Sequence, residues 1–399
     1  MKTNFTIQGA PNSPVLVFSN SLGSEMGMWD ELIPFLLPYF RVLRYNTRGH
    51  GGSEGVTPSH PLTKAATVID GVAPSHPVNN PLGYTVDELG QDVIDLLDQL
   101  GIQKAFFCGL SMGGLIGQWL GIHHPQRIKK LVISNTGAKI GNDERWNERI
   151  TTITTLGMAA IADETMERWF TEAFRKNNPE RVTEMKTMFL RSQTDGYAGC
   201  CAAIRDADFR NELHRISVET LVITGNEDPV TNVEQAAFLA KNIPNARLKI
   251  LPARHLSGTE LPAAYAEVLI DFLTGENVYE RGMHIRRSVL GDAHVDKSQT
   301  NINLFNTDFQ QFITRYAWGE VWSRPGLNKH TRSLITLSML IALNRKAELT
   351  MHLKAAFNNG VSVDEIKEVI LQSALYCGLP AANEAMHTAE AVFKEMGIL

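Results

Sequence analysis

Short β-rich apolar runs alternate with amphipathic stretches from Val15 to Asn135, a pattern that predicts a parallel sheet with crossover helices. The runs are Pro14–Ser19, Arg41–Tyr45, Ala105–Cys108 and Lys130–Ser134. Thr85-Val-Asp-Glu88 has the spacing of a capping box and opens a helix expected to continue through Leu97, just before the third run. Between about residues 138 and 216 the strand text vanishes. Met158, Trp169, Phe170, Met185 and Phe189 there supply apolar helix faces, which reads as a helical cap inserted into the sheet domain. Strand text resumes at Thr220–Thr224 and Arg247–Leu251, and a helix over Ala263–Leu273 closes the unit. After the polar stretch Thr274–Gly282 everything reads as helix. Phe305–Ala317, Lys329–Leu343 and Arg345–Phe357 are periodic, Asn358-Asn-Gly360 stops the third, and Ser362-x-x-Glu365 caps the next. The expectation is an α/β domain over residues 1–275 and a separate all-α domain over 276–399.

Composition changes this picture little. The chain of 399 residues is 43% apolar and 20% charged, with 38 basic and 43 acidic residues and a net charge of −5. Nothing in that balance points to nucleic acid or a membrane surface. The start, Met1-Lys-Thr-Asn-Phe5, lacks the apolar run of a secretory signal, and no apolar stretch reaches a membrane span of about 18 residues. A cytoplasmic enzyme is the expectation. Four cysteines (Cys108, adjacent Cys200 and Cys201, and Cys377) form neither a disulfide framework nor a zinc spacing, and no metal or cofactor is expected. One segment is duplicated: Gly55-Val-Thr-Pro-Ser-His-Pro-Leu62 is echoed by Gly71-Val-Ala-Pro-Ser-His-Pro-Val78, which reads as a Pro-rich surface loop exposing His60 and His76.

The sharpest chemical signal is Gly109-Leu-Ser-Met-Gly113, a G-x-S-x-G pentapeptide between an apolar run and a helix-like stretch, Gly114–His123. At such a junction the pattern is a nucleophile elbow: the glycines admit a turn too tight for Cβ atoms, and Ser111 is lifted clear of the sheet. A serine nucleophile needs a base, and the base needs a carboxylate to fix its tautomer. Asp228 follows the strand text Thr220–Thr224, and His255 follows Arg247–Leu251. The order Ser111, Asp228, His255 is that of the α/β-hydrolases, with each residue just beyond a strand. Glu227 is the adjacent rival acid. Two N–H donors should stabilise the oxyanion: that of Met112, directly after the nucleophile, and that of Leu22 in the loop Asn20-Ser-Leu-Gly23.

Residues 1–275 resemble 3-oxoadipate enol-lactonase. The stretches that carry the resemblance are Phe18–Trp29, Arg48-Gly-His-Gly51, Gly109–Gly114 and Gly196–Asp208. The resemblance implies hydrolysis of an enol-lactone to 3-oxoadipate, with Ser111 attacking the lactone carbonyl and an enolate leaving. The substrate carries a carboxylate, for which Arg48 and Arg205 are candidates beside a structural salt-bridge role. The duplicated segment departs from the shorter connection expected there.

Residues 283–396 resemble 4-carboxymuconolactone decarboxylase. The motifs are Arg324-Pro-Gly-Leu-Asn328, Thr331-Arg-Ser333, Glu348-Leu-Thr-Met-His352, Ala355–Gly360 and Tyr376–Ala382. Related alkylhydroperoxidases use a C-x-x-C pair that Cys377 does not complete, so redox chemistry is not expected. Glu348 and His352, four apart, share a helix face. His352 is the expected general acid and Glu348 its partner, with Arg324 or Arg332 on a carboxylate and Trp322 lining the pocket. The two resemblances interlock, because the product of the second reaction is the substrate of the first. The reading is a bifunctional enzyme acting on small lactones and assembling as a homo-oligomer through its all-α domain. The rival reading is a general carboxylesterase or perhydrolase with a non-catalytic helical oligomerisation domain.

Overall fold

This computed structural model describes residues 2–55, 83–275, 278–324 and 326–399; the duplicated segment beyond Gly55, with His60 and His76, lies outside them. Two compact units divide the chain, Met1–Leu273 and Thr274–Leu399. Among the described residues no helix is long and apolar enough to cross a membrane.

The first unit is built on strands β1 (Phe5–Gln8), β2 (Val15–Ser19), β3 (Arg41–Tyr45), β4 (Ala105–Leu110), β5 (Ile128–Ser134), β6 (Thr220–Gly225) and β7 (Ala246–Leu251). They form one sheet in the order β1-β3-β2-β4-β5-β6-β7, parallel except for β1, which runs antiparallel to β3. Strand β1 leaves little mark in the sequence, because its four residues, Phe-Thr-Ile-Gln, sit half-exposed at the sheet edge and carry little apolar signal. Strands β2 and β4 are covered on both faces, which is why they read as continuous apolar runs.

Around the sheet lie α1 (Ile33–Leu36), α2 (Val86–Gln99) and α3 (Met112–His123). Helix α2 starts at a capping box, with the Thr85 side chain accepting from the Glu88 N–H and the Glu88 side chain accepting from the Thr85 N–H. Its inward stripe of Leu89, Val93, Leu96 and Leu97 is buried while Asp87, Gln91 and Asp95 face water. Burial of each of those leucines and the valine stabilises by about 1.5–3 kcal/mol before entropy is counted. Helix α3 packs on β4, β5 and α2 and is buried all round from Met112 to Ile122. Helices α4 (Asp143–Leu156), α5 (Ala162–Trp169), α6 (Glu172–Asn177), α7 (Pro179–Leu190) and α8 (Thr194–Asp206) make the cap. Then follow α9 (Val233–Asn242), α10 (Ser257–Glu260) and α11 (Pro262–Thr274).

The second unit holds α12 (Val278–Leu290), α13 (Asp292–Thr300), α14 (Thr307–Phe312), a π-helix (Ile313–Trp322), α15 (Lys329–Ala342), α16 (Lys346–Asn358), α17 (Val363–Cys377) and α18 (Leu379–Glu395). Leu337 and Ile341 of α15, Leu349 and Leu353 of α16, Ile366 and Ile370 of α17, and Ala385 and Val392 of α18 form its core. The α-helix expected over Phe305–Ala317 is instead α14 followed by π-helical backbone. A change from i→i+4 to i→i+5 bonding leaves no mark on apolar spacing. The π-helical stretch packs against α12 so closely that a Cβ on Gly282 would stand 2.0 Å from the Thr314 carbonyl oxygen, and one on Gly319 2.4 Å from that of Val278.

Candidate active sites

Ser111 sits between β4 and α3 at φ 58°, ψ −111°, a conformation that costs a non-glycine residue about 1–3 kcal/mol. The surroundings over-determine it. The Ser111 N–H donates to the Ser134 carbonyl at 2.9 Å, and the Ser111 carbonyl accepts from Thr136 Oγ1 at 2.8 Å. A Cβ on Gly109 would lie 2.0 Å from the Gly113 carbonyl oxygen, and one on Gly113 would lie 2.3 Å from that of Ser19. Both glycines are therefore demanded by close approach of backbone.

Asp228 and His255 follow β6 and β7 at the same end of the sheet. His255 Nδ1 stands 2.9 Å from Asp228 Oδ2. A carboxylate accepts, so Nδ1 carries the proton and Nε2 is left to act as a base. Asp228 also accepts from the N–H groups of Val230 and Thr231 at 2.8 and 3.1 Å and from Thr231 Oγ1 at 2.8 Å. Burial alone would raise the Asp228 carboxyl, but His255, Asn135 and Thr231 outweigh it and hold the group down at about 2. Glu227 is exposed, and its N–H donates to the Ala253 carbonyl.

The loop after β2 is tied to the elbow, since the Gly113 N–H donates to the Asn20 carbonyl at 3.1 Å. Among the described residues the N–H groups of Leu22 and Met112 donate to no backbone carbonyl. His50 braces this loop. Its Nδ1 is 3.1 Å from the Arg48 carbonyl, which can only accept, so Nε2 is the acceptor for the Gly23 N–H at 3.3 Å. Burial lowers the His50 pKa, against the Arg48 carbonyl, and favours this neutral form.

Ser111 and His255 line one cavity of about 660 Å³, open mouth included, together with Leu22, Trp146, Trp169, Tyr197 and the cap arginines Arg145, Arg149 and Arg168. Arg149 donates to the Tyr197 hydroxyl at 2.8 Å and to Thr165 Oγ1 at 3.3 Å. Arg168 donates to Thr165 Oγ1 at 3.1 Å and pairs with the exposed Glu164 at 3.2 Å. Burial first and the Arg149 charge second push the Arg168 guanidinium down to about 10. Two half-buried cations thus stand together on the cavity wall. Sequence reasoning missed them, because only the docking of the cap decides which arginines of α4 and α5 turn inward. Arg48 and Arg205 do not line the cavity. Arg48 forms a two-bond pair with Asp92 at 2.9 and 2.7 Å, and Arg205 pairs with Asp206 at 2.7 and 2.9 Å.

In the second unit, Glu348 and His352 stand one turn apart on α16, Glu348 exposed and His352 half-buried. Burial and then the nearby His294 of α13 lower the His352 pKa, while Glu348 raises it. Trp322 packs against Trp318 with ring centroids 5.1 Å apart and the rings tilted by 37°. The Arg332 guanidinium donates at 3.0 Å to the carbonyls of Leu327 and Arg324, so it serves the turn before α15. Arg324 lies near enough to lower the Arg332 pKa further, after burial.

Comparison with known proteins agrees with both halves. Residues 14–260 match the alpha/beta hydrolase fold model, and residues 307–391 match the Carboxymuconolactone decarboxylase family model. A 3-oxoadipate enol-lactonase of Acinetobacter baylyi is 40% identical over 262 residues, 66% of this chain and 89% of the relative. The 4-carboxymuconolactone decarboxylase of the same organism is 60% identical over 126 residues, 32% of this chain and 94% of the relative. The crystal structure of an enol-lactonase from Burkholderia xenovorans superposes with a TM-score of 0.60 at 39% identity, covering 68% of this chain and 96% of that one. The chain therefore belongs to the alpha/beta hydrolase family through an enol-lactonase-like domain, to which a carboxymuconolactone decarboxylase family domain is fused on the C-terminal side.

Proposed function

We propose that this chain catalyses two consecutive steps of the β-ketoadipate pathway. The second unit decarboxylates 4-carboxymuconolactone, and the first hydrolyses the resulting 3-oxoadipate enol-lactone to 3-oxoadipate. The observation that carries the reading is the meeting of Ser111, His255, Arg149 and Arg168 at one cavity. Acyl-transfer groups beside a cationic wall suit a lactone that bears a carboxylate.

In the hydrolase, Ser111 Oγ attacks the lactone carbonyl while His255 Nε2 takes its proton and Asp228 stabilises the imidazolium that forms. The N–H groups of Leu22 and Met112 receive the oxyanion. Collapse breaks the ring C–O bond and expels an enolate, a better leaving group than an alkoxide, which the imidazolium protonates. His255 then activates water to release the acyl group from Ser111. Arg149 and Arg168 hold the free carboxylate of the substrate.

In the decarboxylase, the electron pair of the breaking C–C bond passes through the unsaturated ring to the lactone carbonyl oxygen. His352, protonated and oriented by Glu348, returns a proton to the ring. The second unit is also the self-association surface of this reading, since Leu375, Tyr376 and Leu379 at the α17–α18 junction are 81%, 80% and 76% exposed.

The test is to give the Ser111→Ala protein 4-carboxymuconolactone and follow carbon dioxide and the remaining lactone. Carbon dioxide release with enol-lactone accumulating supports both assignments. Absence of carbon dioxide removes the decarboxylase assignment, and undiminished 3-oxoadipate formation removes the role of Ser111.

A further inference from the structure

The second unit buries a guanidinium that the chemistry above does not use. Gly282, Arg286 and Val289 form the inward stripe of α12, and Arg286, where the pattern calls for an apolar side chain, is only 5% exposed. Its Nη1 donates to Gln310 Oε1 at 3.1 Å and to Thr314 Oγ1 at 3.4 Å, and its Nη2 donates to Ser298 Oγ at 2.9 Å. All three acceptors are neutral. Nε has no partner, and among the described residues no carboxylate compensates the charge. The nearby carboxylates of Asp292 and Asp296 pair instead with the neighbouring Arg287, at 3.1 and 2.7 Å.

A buried cation without a counter-ion is strongly disfavoured, and proteins normally pair it or replace it with an apolar residue. Here the cation is instead held by neutral acceptors, and its Nε is buried without a partner. Three bonds leave the Nε–H and one Nη2–H, the edge that a carboxylate takes side-on. Gln310 and Ser298, which hold the Nη groups, are themselves half-buried. Thr314 belongs to the π-helix, a distortion that recurs at functional sites. Helix α12 packs on α13 and α16, and Asn358 Nδ2 donates to the Val289 carbonyl at 3.1 Å, which joins α12 to the helix that carries His352.

We propose that Arg286 is the receptor for the substrate carboxylate that survives decarboxylation, with Gln310, Thr314 and Ser298 fixing its fork. The proposal rests on the decarboxylase reading above. The surviving carboxylate is the logical ligand. An ion pair to the departing carboxylate would stabilise the ground state that the reaction must destroy, whereas a grip on the retained one is equal in ground and transition states.

The experiment measures carbon dioxide release from 4-carboxymuconolactone by the full chain in a Ser111→Ala background, adding Arg286→Met or Arg286→Lys. Loss of a two-bond grip on a carboxylate raises KM by about 10- to 100-fold and leaves kcat within about threefold. Arg286→Met is expected to show that change with a thermal midpoint equal to or above that of the parent, because a buried unpaired charge has been removed. Arg286→Lys, which keeps the charge without the fork, is expected to fall between. An unchanged KM in folded Arg286→Met overturns the proposal, as does a fall in kcat at unchanged KM. Should the Met variant not fold, a folded Lys variant with the parent KM overturns it equally. A parent that releases no carbon dioxide overturns the decarboxylase reading and this proposal together, which distinguishes that failure from the others.

Discussion

Asn135 Nδ2 donates to Asp228 Oδ2 at 2.9 Å, on the same oxygen that His255 Nδ1 contacts. Asn135 follows β5 at φ 45°, in the left-handed region that asparagine tolerates better than most side chains. Its Oδ1 accepts from the hydroxyls of Ser134 and Ser257 at 2.9 and 2.5 Å, and Nδ2 also donates to the Arg254 carbonyl at 3.1 Å. One buried amide therefore ties the end of β5 to both loops of the acid–base pair.

Asn135 is accordingly expected to act as a positioning residue. Asn135→Gly, which keeps the backbone conformation but removes the donor, should lower hydrolase kcat by about 10-fold with KM unchanged. Asn135→Asp places a second carboxylate against Asp228 and should cost more. Steady-state kinetics on the enol-lactone decide the matter, and a fully active Asn135→Asp protein would refute the role.

Asp228→Asn should reduce hydrolase kcat by a factor on the order of 10⁴, through loss of the correct His255 tautomer. Its carboxyl is depressed to about 2, so its contribution to stability is present above the ordinary carboxylate range and is lost as pH falls through about 2. Urea midpoints of wild type and Asp228→Asn, compared across acid pH, should converge as pH drops. A gap that widens in acid would contradict the sign.

Replacing Arg168 or Arg149 with methionine should raise KM for the carboxylate-bearing lactone by about 10-fold or more, while KM for a neutral short-chain ester changes by less than about threefold. Paired measurements on the two substrates test this. Equal losses on both would mean that the arginines hold the cap together and do not read charge.

For decarboxylation, the proposed role of His352 as proton donor requires its imidazolium, so kcat/KM should fall as pH rises. Burial and His294 lower its pKa, so the limb should lie below the ordinary histidine value of about 6.5. Glu348→Gln removes the group that raises that pKa and should move the limb further to the acid side. His352→Ala that retains both rate and profile would reject the assignment.

Assembly through the second unit predicts that light scattering of the full chain gives more than one chain mass, and that Leu375→Glu with Tyr376→Glu reduces it toward the monomer. A monomeric wild type at micromolar concentration would exclude this surface. Both residues are more than three-quarters exposed, so the substitutions leave the core intact.

Local sequence determined much of this protein. The capping boxes at Thr85 and Ser362 satisfy the first N–H groups of α2 and α17 within four residues. The placement of Ser111, Asp228 and His255 just after strands is marked in the sequence, and strand order in such sheets carries those places to one edge. Glu348 and His352 were legible as a helix-face pair. Tertiary structure alone decided the rest. Whether a cap arginine lines a cavity or pairs on the surface depends on how α4 and α5 dock; Arg149 and Arg168 line the cavity that Ser111 lines, while Arg48 and Arg205 are neutralised elsewhere. The π-helix after Phe312 and the unpaired burial of Arg286 are found where α12 packs closely, and the bracing of Asp228 by Asn135 joins two loops 93 residues apart. Hydrophobic period and cap chemistry are local and read off the chain. The counter-ion, the donor and the wall of a pocket are contacts between distant segments, and only the folded chain assigns them.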